Sequence, residues 1–166
     1  MKKYTIKEGK HYSLHGQWLH VNKKELIIKA KIPYTSKYDL RDEDQLDVNK
    51  VGGIGFGFNH HDNSIRLGWN NNIYNKIEWY LYLYNHGYRD IIPLCDGRYD
   101  DEFTLKLDID RNTDNIKYFG YNLDHTVRGS TGFNFLKVPK FGFYCYPYFG
   151  GNEVAPCEIV NYLEIK

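Results

Sequence analysis

Three tyrosines recur at alternate positions, Tyr80, Tyr82 and Tyr84. On an extended chain that spacing puts their side chains on one side, roughly 7 Å apart at each step. Arg66 falls in a neighbouring alternating segment, on a like face, with Trp69 and Asn70 close behind it. Tyrosines and an arginine on an open sheet can stack against sugar rings or anchor a protein partner. Arg66, Trp69, Asn70, Tyr80, Tyr82 and Tyr84 are therefore the candidate ligand- or partner-binding residues. The competing reading is that this face packs beneath the other sheet or a loop.

Other chemistry-bearing residues carry weaker signals. Asp108, Asp110, Asn112 and Asp114 alternate as in the opening of a calcium loop. Thr113 stands where such a loop needs glycine, and Phe119 where it needs a bidentate carboxylate, so a polar hairpin turn is expected. His60 and His61 are neighbours and on a strand would point to opposite faces, which disfavours a shared metal. His11, His15 and His20 share no regular face. No Gly-x-Ser-x-Gly elbow surrounds Ser13, Ser36, Ser64 or Ser130. Cys145 and Cys157 read as packing residues rather than nucleophiles. Glu78, Glu153 and Glu158 could serve as paired carboxylates for glycosidase chemistry, but none stands in a diagnostic motif. No catalytic residue, metal ligand or cofactor is assigned from these patterns.

The elements that would position these residues are strands. Helical periodicity is nearly absent, and period-two alternation dominates. Glu25–Ile32, Gly53–Phe58, Ser64–Asn70, Lys76–Tyr84 and Phe103–Ile109 all alternate. In Gly53–Phe58 one face is large and apolar while the other is glycine alone. Later strands are expected over Ile116–Tyr121, Phe141–Tyr146 and Glu158–Ile165. The segments 59–63, 70–72 and 110–115 are turns, and Asn85-His86-Gly87 can close a tight hairpin. About ten to twelve short strands in consecutive hairpins predict an all-β fold, an antiparallel two-sheet sandwich with almost no helix. Residues 1–166 read as one domain, with 1–10 an arm or edge strand and 33–50 a long polar loop.

The 166 residues include 16 tyrosines, and the formal net charge is +1. That balance lacks the basic surplus of a general nucleic-acid binder. Lys2, Lys3, Lys7 and Lys10, and Asp42, Glu43, Asp44 and Asp47, read as solvated surface. Cys95, Cys145 and Cys157 are odd in number and show no CxxC spacing, so free thiols are expected. No apolar run approaches ~18 residues, and the start carries no signal-peptide pattern, which predicts no membrane partner. Lys, Asn, Ile and Tyr are abundant, as in AT-rich coding sequence.

The segment from Tyr144 to Pro156 packs aromatics, Pro147, Pro156 and the pair Gly150-Gly151 into a rigid corner before the last strand. Tyr146, Pro147, Tyr148, Phe149, Gly150, Gly151 and Pro156 are its expected structural residues, with the aromatics plugging an end of the sandwich. Two blocks, His60-His61-Asp62-Asn63-Ser64-Ile65-Arg66-Leu67-Gly68-Trp69 and Tyr146-Pro147-Tyr148-Phe149-Gly150-Gly151-Asn152-Glu153-Val154-Ala155-Pro156, flank an Ile77-Glu78-Trp79-Tyr80 strand. Over residues 50–166 the pattern resembles a family of small, mostly uncharacterised β-sandwich proteins of gut Bacteroidetes-type bacteria and their tailed phages. The resemblance implies a jelly-roll similar to the concanavalin-A-like lectin and glucanase sandwiches. The family pattern continues with His-Asp-Ile after Ala-Pro, where this chain has Cys157-Glu158-Ile159.

The leading expectation from these observations is a non-enzymatic structural or interaction protein. It would be an auxiliary or decoration protein of a tailed-phage capsid, located in the virion and contacting other capsid proteins or further copies of itself. The alternative is a carbohydrate-binding module that uses the aromatic face. A second alternative is a glycan-cleaving enzyme on the same scaffold.

Overall fold

A computed structural model describes residues 1–14, 18–40, 43–72, 74 and 76–166, with only the backbone described at Glu43. The readings placed on His15 and Asp42 lie outside the described residues.

The alternating segments become strands because each buries one set of side chains while the other stays on an outer face. Two six-stranded sheets result. In the first, the order is Lys2–Ile6 (β1), Ile159–Ile165 (β12), Glu25–Lys31 (β3), Glu102–Asp110 (β8), Asn115–Tyr121 (β9) and Thr126–Gly132 (β10). In the second, it is Leu19–Val21 (β2), Phe141–Cys145 (β11), Asn49–Phe56 (β4), Asn63–Asn71 (β5), Ile77–Asn85 (β6) and Tyr88–Gly97 (β7). Every pairing is antiparallel. The expected sandwich is therefore the fold, and the N-terminal segment is an edge strand.

The core lies between the sheets. Leu26, Ile28 and Ala30 of β3 and Phe103, Leu105 and Leu107 of β8 face Ile65, Leu67 and Trp69 of β5 and Ile77, Trp79 and Leu81 of β6. Trp79 stacks on Phe103 with ring centroids 4.9 Å apart. Fully burying an aliphatic or Phe side chain stabilises by about 1.5–3 kcal/mol, so this layer dominates the stability of the sandwich.

Three expectations need correction. The 33–50 stretch is not one polar loop: it holds two single-turn 3-10 helices, Tyr34–Ser36 and Glu43–Leu46, and the first residues of β4. β7 was not anticipated, because Pro93 interrupts its pattern; as the last strand of its sheet β7 tolerates that proline, which sits where the pairing with β6 shifts register. β10 was missed because it is exposed or half-buried throughout and shows no apolar face. The turn at 85–87 is as expected, with His86 and Gly87 both at positive φ, 50° and 82°.

Candidate functional site

The outer face of the second sheet can be read as a grid. Pairing puts Gly55, Ser64, Tyr84 and Arg89 in one row across β4 to β7, and Gly53, Arg66, Tyr82 and Ile91 in the next. Phe143 and Cys145 of β11 continue these rows beyond the glycines. A third row holds Lys50, Gly68, Tyr80 and Pro93. Lys50 reaches this face because the β4–β5 register shifts between Lys50 and Gly52. The bulge reverses parity, turning Val51 into the core and Lys50 outward.

The glycines make the floor. A Cβ on Gly53 would lie 2.1 Å from the carbonyl oxygen of Ile65, so no larger residue fits where β4 and β5 approach. Over this floor opens a pocket of about 430 Å³, lined by Gly55, Phe58, His60, Arg66, Phe143 and Tyr148 among others.

Arg66 is buried, yet among the described residues no carboxylate pairs with it. Its Nε donates to Ser64 Oγ at 3.2 Å, and Nη2 donates to the His60 carbonyl at 3.4 Å. Those bonds fix the guanidinium while using only two of its five donors. The guanidinium carbon lies 6.0 Å from the Tyr82 ring centroid and 5.8 Å from that of Tyr84. Lys50 Nζ sits 4.6 Å from the Tyr82 ring centroid and 5.7 Å from that of Tyr148. Arg89 lies against the Tyr82 hydroxyl. Three cations thus crowd one tyrosine.

The crowding shifts proton affinities. Desolvation, followed by repulsion from Arg66, lowers Lys50 to about 8, with Asp47 opposing. His60 is open to solvent on one side, but desolvation of its ring, then Arg66 and His61, lower it to about 4, so it is a neutral imidazole near pH 7. Desolvation, with the Tyr84 hydroxyl next, pushes the Tyr82 phenol up to about 12.

Tyr148 reaches the face through the Tyr-Pro-Tyr-Phe-Gly-Gly block. Backbone bonds join Lys50 and Tyr148 in both directions, 2.9 Å from the Lys50 N–H and 2.8 Å from the Tyr148 N–H. Gly150 N–H donates to Asn49 Oδ1 at 2.9 Å, and a Cβ there would lie 2.4 Å from the Val48 carbonyl. Asp44 accepts from the backbone N–H groups of Asn152 and Glu153, at 3.0 and 2.9 Å. Phe149 is buried edge-on to Tyr38, with ring centroids 5.0 Å apart. Tyr148 instead turns outward, and its ring stacks with His11 at 5.4 Å.

The structure separates the residues expected to act together. Arg66, Tyr82 and Tyr84 converge as described. Asn70 and Tyr80 form a second cluster: Asn70 Nδ2 donates to Tyr80 Oη at 3.1 Å and to the Leu46 carbonyl at 3.0 Å, and Tyr80 donates to Glu78. Trp69 lies on the opposite side of β5, fully buried in the core, because strand alternation sends it inward with Ile65 and Leu67. Lys50 was not singled out in the sequence, His60 was weighed only as a metal ligand, and Tyr148 was expected only as a structural residue of the corner. Lys50 gave no signal, since its position depends on a bulge, and Tyr148 depends on a contact with a segment distant in sequence.

The other candidates lie elsewhere. His20 is buried, with Nε2 2.8 Å from the Gly55 carbonyl. Asp110 accepts from Asn112 N–H and Thr113 Oγ, and Asp114 from Phe135 N–H, so two of the three carboxylates already accept hydrogen bonds within the fold. Glu78 stands opposite Asp96, and Glu153 and Glu158 are exposed near the C-terminus.

No family model matches this chain, and no curated protein is a match. The fold is similar to several solved structures. An alginate lyase in complex with an alginate trisaccharide is 12% identical, with a TM-score of 0.66 over 98% of this chain and 79% of that one. An alginate lyase from a Chlorella virus is 13% identical, with a TM-score of 0.62 over 99% and 83%. The exolytic alginate lyase of Zobellia galactanivorans is 10% identical, with a TM-score of 0.61 over 98% and 83%. At such identity the likeness establishes the jelly-roll sandwich. It also overturns the leading expectation of a non-enzymatic virion-decoration protein, because nearly the whole of this chain matches about four-fifths of each of these glycan-cleaving enzymes.

Proposed function

We propose that the protein is a polysaccharide lyase that cleaves a glycan next to a uronate by β-elimination. The observation that carries this reading is that buried Arg66 and Tyr148 line one glycine-floored pocket and that the Lys50 ammonium lies 5.7 Å from the Tyr148 ring centroid. The likeness to alginate lyases supports it.

Elimination needs three things: a cation to neutralise the uronate carboxylate, a base to take the C5 proton, and an acid to protonate the departing oxygen. Arg66, held by Ser64 and the His60 carbonyl, is placed to receive the carboxylate, and a pre-fixed charge of this kind stabilises the anionic intermediate without reorganising. Lys50 is the base. At pH 7 about a tenth of it is the free amine, given a value of about 8. Neutral His60 is fully available but, at about 4, has a proton affinity about four powers of ten lower. The gain in basicity outweighs the loss in population. Tyr148, exposed beside Lys50, is the proton donor. In balance, Lys50 accepts the C5 proton, the C–H electrons form the C4–C5 double bond, the C4–O4 bond breaks, and O4 takes the Tyr148 proton. Tyr82 is a positioning residue beneath Lys50 and Arg66.

The paired-carboxylate reading is weaker on geometry. Glu78 and Asp96 lie four residues along the strands from Arg66, about 13 Å away. Glu78 is also held by Tyr80 and by Asn72 Nδ2 at 3.2 Å.

The test is to incubate the protein with a set of uronate polysaccharides and follow the ultraviolet absorbance of the conjugated unsaturated product. Wild type should generate it and Lys50→Ala should not. Reducing ends that appear without that absorbance would mean hydrolysis and sink the lyase reading.

A further inference from the structure

We propose that the cleft selects a uronate flanked by neutral sugars, as in a mixed polysaccharide, over a run of consecutive uronates. This rests on the lyase reading and deepens it by naming the substrate class.

A polyuronate carries a carboxylate on every sugar. A cleft built for it needs cations repeated along its length. Among the described residues of this face the cations meet at one point: Lys50, Arg66 and Arg89 all surround Tyr82. Leaving that point, the surface changes character in two directions. Toward β11 it becomes aromatic. Phe58 is 86% exposed and packs edge-on against Phe141 with centroids 5.2 Å apart. Phe143 and Tyr12 complete that wall. Among the described residues that line the pocket between this wall and Arg66, Arg66 is the single one with a fixed charge, because His60 is neutral. Exposed rings beside an open floor suit the C–H face of an uncharged sugar. They give a second carboxylate no partner, and its desolvation would go uncompensated.

Along the strands the surface becomes acidic. Glu78 and Asp96 stand opposite each other on β6 and β7 and would repel a carboxylate. Near Lys50 the rim carries Asp44 and Asp47, both close to Gly151. One charged subsite with aromatic and acidic surroundings is the pattern a mixed chain would match.

The experiment is equilibrium binding by titration calorimetry. A fully charged alginate oligomer is compared with a gellan-backbone oligomer of the same length, in which neutral sugars separate the uronates. The titrations use a Tyr148→Phe background, in which elimination is blocked and binding can equilibrate, and this background should bind the mixed oligomer at least about tenfold more tightly. Phe58→Ala, whose exposed ring leaves the core untouched, should weaken the mixed oligomer about three- to tenfold and leave alginate unchanged. Equal or tighter alginate binding, no binding of either oligomer, or a Phe58→Ala variant that keeps the full preference overturns the proposal. Turnover is scored separately. Preferential binding without elimination would reject the lyase chemistry and keep the selectivity, and elimination with equal affinity for both would do the reverse.

Discussion

The outer faces of the two sheets are both rich in charge, and they use it in opposite ways. On the first sheet opposite signs are neighbours: Lys29 lies 3.5 Å from Glu102, and Asp108 is paired across the ladder with Lys117. On the second, Lys50, Arg66 and Arg89 share a few ångströms with tyrosines, and among the described residues no ion pair joins them. Matched charges on an exposed sheet satisfy solubility and register. Cations outnumbering the nearby carboxylate Asp47 over a glycine floor raise the free energy of the empty protein, and an anionic ligand lowers it again. The difference identifies where a ligand belongs better than any single residue type does.

The sharpest way to break this contrast is to remove one cation from each face. Arg66→Ala should lower kcat/KM on a cleavable uronate polymer by about 10²–10³-fold, the cost of losing a preorganised charge at the developing anion. Lys29→Ala should leave it unchanged. A loss below about tenfold for Arg66→Ala would erase the distinction.

The fold was legible because β3, β5, β6 and β8 each alternate cleanly, and Tyr82, Tyr84 and Arg66 came with it as consequences of parity. Trp69 was misplaced by adjacency to Asn70 in sequence, although its parity with Ile65 and Leu67 places it in the core. Lys50 was illegible for a physical reason. Alternation counted back from Gly53 and Gly55 sends it inward, and a one-residue bulge reverses that. Tyr148 depended on a bridge between β4 and a segment near the other end of the chain.

A second, smaller effect concerns pH. Lys50 is held at about 8 in the folded protein against an ordinary 10.5. Between these values the unfolded chain binds the additional proton, so stability should rise as pH climbs through that window. Below about 8 both states carry the charge and the contribution is flat. Denaturant unfolding of wild type and Lys50→Met from pH 7 to 9.5 checks this. The variant should lack that rise, and parallel curves would show that Lys50 is not desolvated.

The smallest effect is expected on the first sheet. Lys29→Ala removes an exposed pair and should change unfolding free energy by no more than about 1 kcal/mol, increasingly less as salt is added. A larger, salt-independent loss would mean that the matched face is more than a solvated surface.

The bridge that carries Tyr148 to Lys50 has a consequence in time. Asn49 and Gly150, which anchor it, are 101 residues apart. During synthesis β4, β5 and β6 emerge first, bringing Lys50, Arg66 and Tyr82 into the chain while Tyr148 is still to be translated. The cation cluster therefore precedes its proton donor, and the site is completed only when the last segment docks. On the proposed lyase chemistry, competence for elimination is a late folding event: a shortened or incompletely folded chain can hold the anion-attracting half of the site while lacking the group that lets the product leave.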